Sequence, residues 1–111
     1  MANLPPRSIR RARDFIEANL GEELSLAAIA GEACLSPHHF LRAFKAATGK
    51  TPHRYVQERR VDLCRRLLET TDLPLADIAY QCGFASQSHM TTVFGSAVGT
   101  TPGRYRSDNQ H

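Results

Sequence analysis

Apolar residues recur three and four positions apart along this chain, and that spacing predicts helices from one end to the other. Ile9, Ala12, Ile16 and Leu20 form one stripe, with Arg10, Arg13 and Glu17 outside it. The stripe predicts a first helix capped by Ser8, running to about Asn19 and stopped by Gly21. Leu26, Ile29 and Ala30 define a second helix over roughly 26–33, capped by Ser25, with Cys34-Leu35 as the turn after it. Ser36 caps a third helix and Pro37 takes its first position. That helix runs to about Thr48, with Phe40, Ala43, Phe44 and Ala47 inward and Gly49 as its end. Thr51-Pro52 is the same device and starts a longer helix to about Leu68, with Val61, Cys64, Leu67 and Leu68 on one face. A fifth helix begins near Pro74, with Leu75, Ile78 and Ala79 inward. A sixth, capped by Ser86, runs from Gln87 to about Val98, with Val93, Phe94 and Ala97 inward. Thr101-Pro102 opens a short seventh, after which Ser107 to His111 are expected to fray. No stretch alternates with the two-residue period of a strand, so the expected fold is all-α with about seven helices.

The pattern occurs twice. Leu26, Ile29 and Ala30 match Leu75, Ile78 and Ala79 at an offset of 49. Ser36, Phe44, Gly49, Thr51, Pro52, Arg54 and Tyr55 match Ser86, Phe94, Gly99, Thr101, Pro102, Arg104 and Tyr105 at an offset of 50. The offset grows by one because Ala85 is extra in the second turn. Each copy reads as a short helix, a tight turn (Gly83 in the second copy) and a capped second helix. That is a helix-turn-helix, the unit that lays its second helix in a DNA groove. The expected organisation is a domain over 8–107. It holds a first helix-turn-helix at 26–48, a linker helix at 52–68 and a second helix-turn-helix at 74–98, with flexible tails at 1–7 and 108–111.

One long motif is specific. Ile78-Ala79, Gly83-Phe84, Ser86, Ser88, Phe94, Gly99, Thr101-Pro102 and Tyr105-Arg106 stand at fixed spacing. This run resembles the signature of the AraC/XylS family of bacterial transcription regulators, and the resemblance covers about residues 8–106. It implies two homeodomain-like helix-turn-helix units joined by a linker helix, which enter successive major grooves about 34 Å apart. It also implies transcriptional activation, with RNA polymerase as a partner. Family members often carry an effector-binding or dimerisation domain upstream. None lies in this chain, and Leu4-Pro5-Pro6 suits a linker remnant, so the chain reads as either a stand-alone regulator or a fragment.

Charge refines this picture. The chain has 111 residues and a formal net charge of +3, which favours an anionic partner. Between Ser36 and Arg66 eight basic residues face only Glu58 and Asp62, net +6, whereas Asp72 to Arg106 is neutral. Phosphate attraction supplies most non-specific DNA affinity, so the first half is expected to supply most of it here. No apolar run approaches the length of a membrane span, and no secretory signal pattern opens the chain. The chain has three cysteines, Cys34, Cys64 and Cys82, with no C-x-x-C pair. An odd, unpaired set fits a reducing cytoplasm better than a disulfide framework or a zinc site.

Helical spacing leaves positions 38, 41, 42 and 45 outward in the third helix, the face that the family resemblance places in the groove. His38, Leu41 and Arg42 are the candidate base readers of the first unit. Arg42 can bond guanine O6 and N7 in bidentate fashion, and Leu41 can touch a thymine methyl. The second unit offers Gln87, Ser88, Thr91 and Thr92, of which Gln87 can bond adenine. Lys45, Lys50, Arg54 and Arg104 are the candidate phosphate contacts. The second unit departs from the family, with Met90, Thr92 and Gly95 where Phe, Arg and Lys are usual. That loses a strong base reader and a phosphate anchor. Cys34, His38 and His39 do not form a coherent metal set, because the turn and the helix point them apart. Ser36 serves as a cap and has no orienting acid, so no catalytic pair forms with His39. Neither a cofactor nor an enzymatic activity is expected. The competing reading is a helical protein-interaction module that has lost specific DNA binding.

Overall fold

The computed structural model describes residues 6–110. Residues 1–5 and His111, on which parts of the tail and linker expectations fall, lie outside the described residues. Among the described residues there are seven helices and no strand. They are α1 (Arg7–Ala18), α2 (Leu26–Glu32), α3 (Pro37–Thr48), α4 (Pro52–Thr70), α5 (Leu75–Gln81), α6 (Gln87–Val98) and α7 (Pro102–Asn109). The chain divides into two compact units between Val56 and Gln57, each built around one helix-turn-helix.

Local side chains set most of the helix starts. A helix leaves its first N–H groups without internal partners, and a hydroxyl just before it accepts one of them. Ser25 Oγ accepts from the Ala28 N–H at 3.1 Å and Ser36 Oγ from the His39 N–H at 3.2 Å. Ser86 Oγ accepts from His89 at 3.0 Å. Thr51 and Thr101 do the same for the N–H groups of Arg54 and Arg104, both at 3.2 Å. The ends of α3 and α6 are Gly49 and Gly99, at φ 77° and 89°. These left-handed values cost glycine nothing.

Three expectations at the chain ends need correction. Ser8 does not cap α1; Pro6 does. Its ring fixes a pre-helical φ of −53°, and its carbonyl accepts from the N–H groups of Ile9 and Arg10. Gly21 does not stop α1 either, because Asn19 already has, its side-chain amide donating to the Phe15 carbonyl at 2.8 Å. The expected fraying after Ser107 does not occur in the described part of the tail. α7 runs to Asn109, and Gln110 Nε2 then donates to the carbonyls of Leu68 at 2.7 Å and Thr71 at 2.6 Å. Arg106 Nη2 donates to Thr71 as well, at 3.2 Å. α4 extends to Thr70, two residues past its expected end, and its terminal carbonyls lack partners within the helix. The tail supplies a partner for the carbonyl of Leu68 and for that of Thr71, the residue just past the helix.

In the first unit α1 packs on α2 and α3. Ile9, Ala12, Ile16, Leu20, Ile29, Ala30, Phe40 and Phe44 are buried. In the second, Val61, Cys64 and Leu68 of α4 form one core with Ile78, Ala79, Cys82, Phe84, Met90 and Phe94. The long periodic faces are as read, but their edges are not. Leu26 is 37% exposed, and Ala47 and Ala97 are exposed too. Each lies at the rim of its stripe, where period alone does not say how wide the neighbouring helix is. The duplication persists at the level of packing. Phe44 meets Tyr55 and Phe94 meets Tyr105 with the same ring separation, 5.4 Å, and the same edge-on angle of 75°. The G-x-T-P turn thus returns a tyrosine to the core phenylalanine of its own unit. The tyrosine hydroxyls differ in partner: Tyr55 accepts from Arg13 Nε at 3.4 Å, whereas Tyr105 donates to Glu69. The bond to Glu69 raises the Tyr105 pKa above its ordinary value.

The two turns also differ. Gly83 has φ 84°, and at the matching position of the first unit Cys34 has φ 59°. An L-residue pays roughly 1–2 kcal/mol for this conformation, and glycine does not. Cys34 is exposed, so little packing is lost with its side chain. Cys34→Gly is therefore expected to stabilise the protein by about 1 kcal/mol, read as a higher midpoint in urea. An unchanged or lower midpoint would mean that the unfolded glycine chain gains as much freedom as the turn loses strain.

Candidate nucleic-acid interface

The first helix-turn-helix is α2, the turn over 33–36 and α3. The turn is closed by backbone bonds from Cys34 N–H to the Gly31 carbonyl and from Leu35 N–H to the Ala30 carbonyl, both 3.0 Å. Phe40 and Phe44 are wholly buried and fix the rotation of α3 about its axis. His38, Arg42 and Lys45 consequently lie exposed on its outer side, with Leu41 half-buried beside them. These four positions are spaced three and four apart and form one row. Just past α3, Lys50 is half-buried, and Thr48 Oγ1 holds its backbone, accepting from its N–H at 3.2 Å and donating to its carbonyl at 3.1 Å. Arg54 is exposed in the first turn of α4.

The second helix-turn-helix repeats this frame without the charge. Met90 and Phe94 are wholly buried; Met90 fills the core as an unbranched side chain can. Gln87, Ser88 and Thr92 are exposed and Thr91 is half-buried, as is Leu41 at the matching position. Arg104 is exposed in the first turn of α7, where Arg54 stands in α4. Lys50 has Thr100 as its counterpart, so the second unit keeps one of the two flanking cations.

The cysteines divide the same way. Cys34 is exposed in the turn, and Cys64 and Cys82 are buried in the second core. The Cys64 thiol donates to the Cys82 sulfur and is held protonated by that bond and by burial, its pKa pushed well up. Among the described residues no three His, Cys, Asp or Glu side chains stand where they could share a metal ion. Sequence reasoning gave no role to Arg13, whose guanidinium lies 5.9 Å from the centre of the Tyr55 ring. No local signal marks a contact across 42 residues.

Comparison with known proteins agrees with this geometry. A helix-turn-helix domain family matches residues 29–108. LumQ of Photobacterium leiognathi, a probable transcriptional regulator, is 37% identical over 93 residues, 84% of this chain and 38% of LumQ. Among solved structures, the C-terminal domain of AraT, a response regulator from Geobacillus stearothermophilus, superposes with a TM-score of 0.92 at 28% identity. It covers 96% of this chain and 89% of that one. The DNA-binding domain of the global transcriptional factor AdpA, solved in complex with a target DNA, gives 0.86 at 29% identity and 91% coverage of each. The chain belongs to the AraC-type helix-turn-helix family, whose members are DNA-binding transcription regulators. It spans 38%, 30% and 33% of the first three curated relatives it matches.

Proposed function

We propose that this chain binds duplex DNA sequence-specifically and regulates transcription, as an activator that touches RNA polymerase, in the cytoplasm and without catalysis of its own. The observation that carries the reading is the outward row of α3, with His38, Leu41, Arg42 and Lys45 on a capped helix of a helix-turn-helix. Such a helix offers its row to base edges in the major groove. His38, Leu41 and Arg42 are proposed to read bases, and Lys45, Lys50 and Arg54 to hold phosphates. In the second unit Gln87, Ser88, Thr91 and Thr92 take the base-reading positions and Arg104 the phosphate. Support for a duplex partner comes from the likeness to the AdpA domain. The +6 segment, residues 36–66, which spans α3 and most of α4, is proposed as the main source of affinity.

The test is a shift assay on duplex DNA over a range of salt concentrations. A DNA binder loses affinity steeply with salt, because each neutralised phosphate releases counterions. Lys45→Ala and Arg54→Ala are each expected to lower the logarithmic salt slope by about one unit, and Thr91→Ala and Thr92→Ala to leave it unchanged. A parent protein with no salt slope would favour the protein-interaction module instead.

A further inference from the structure

We infer that the arginine face of α1 is a second phosphate-contacting surface, which carries the duplex past the base-reading helix of the first unit. The inference rests on the DNA-binding reading above. Arg7, Arg10 and Arg11 are spaced three and four apart, so they share one side of the helix. Ile9, Ala12 and Ile16, wholly buried, occupy the other. All three arginines are exposed, and two acids share their side, Asp14, four positions past Arg10 and three past Arg11, and Glu17, seven past Arg10. Asp14 offsets the repulsion at Arg10 and Arg11 in part, but the start of the row is electrostatically unfavourable for the helix itself. Its first turn holds no acid, cations there oppose the helix dipole, and like charges at this spacing repel each other. A row of phosphates relieves both effects.

Position selects DNA over other polyanions. Arg11 Nη1 lies 3.8 Å from Cys34 Sγ, in the turn that leads into α3. Arg13, the next cation along α1, lies over the ring of Tyr55, the neighbour of Arg54. The arginine face therefore adjoins, within one compact unit, both the turn before the base-reading helix and the start of α4. A duplex held by α3 presents an unbroken line of phosphates, about one charge per 1.7 Å of axis.

The experiment compares the parent with the Arg7→Gln, Arg10→Gln double variant, leaving Arg11 and its contact with Cys34 in place. Thermal melting first establishes that both fold alike. On a long duplex the variant is expected to lose about two units of salt slope, and Arg7→Lys, Arg10→Lys to restore them. Base preference, selected from a random pool, should not change, because phosphate contacts position without specifying. On a duplex trimmed to the base pairs that the first unit reads, parent and variant should show equal slopes. A parent that binds with a steep slope and a variant with the same slope would overturn this inference alone. So would a variant with altered base preference, or one that loses binding to polyglutamate while keeping its duplex slope, which would mark a protein surface as the partner. A parent that shows no salt-dependent binding would remove the DNA reading and this inference together.

Discussion

Alanine at position 42 is expected to weaken specific DNA binding by about 1–3 kcal/mol and to relax preference at a single base pair. Arg42 is exposed near the middle of the outward row of α3, and the wholly buried Phe40 and Phe44 hold that row in place. A guanidinium so placed matches guanine O6 and N7 with two parallel donors held in a rigid planar fork. About 1.4 kcal/mol is tenfold in affinity, so the loss is large enough to separate from that of a phosphate contact. The two also differ in kind. Lys45→Ala should weaken binding to every sequence alike, whereas Arg42→Ala should flatten one column of the preference selected from a random pool. A variant with the parent's preference would move Arg42 out of the base-reading set.

The reasons this face is legible in the sequence are local. Helix spacing placed Phe40 and Phe44 inward, and the hydroxyls of Ser25, Ser36, Thr51, Ser86 and Thr101 precede the helices they cap. These signals act within four residues. What was missed acts over longer distances or at the margin of a period. The Gln110 bonds to Leu68 and Thr71 cross about forty residues and leave no pattern around Gln110. The exposure of Leu26, Ala47 and Ala97 depends on where a neighbouring helix ends. The left-handed Cys34 could have been found, because the offset of 49 aligns it with Gly83. The proposed base readers carry a further indeterminacy of physical origin. Thr91 and Thr92 donate and accept equally well, so their identity specifies no base, whereas Arg42 does. The second unit is thus legible as a scaffold and nearly silent as a reader.

That silence makes its stability separable from its binding, and the largest effect expected in the molecule lies there. Phe94→Ala should destabilise the second unit by about 3–5 kcal/mol, the usual cost of deleting a buried aromatic ring. Phe94 is wholly buried. Its ring meets Tyr105 edge-on at 5.4 Å, and it shares a core with Leu68, Ile78 and Met90. Removing it leaves a void bordered by three helices, and it also frees Tyr105, whose hydroxyl bonds Glu69 on α4. A loss of this size is a large part of the roughly 5–15 kcal/mol that holds a domain folded. Because the chain divides into two compact units, each with its own phenylalanine–tyrosine pair, the damage should stay on one side of the division. Amide hydrogen exchange is expected to speed up through α5, α6 and α7, with α1, α2 and α3 nearly as protected as in the parent. Phe44→Ala should give the mirror result. Uniform loss of protection in both variants would mean that the two cores open as one cooperative unit despite their separate packing.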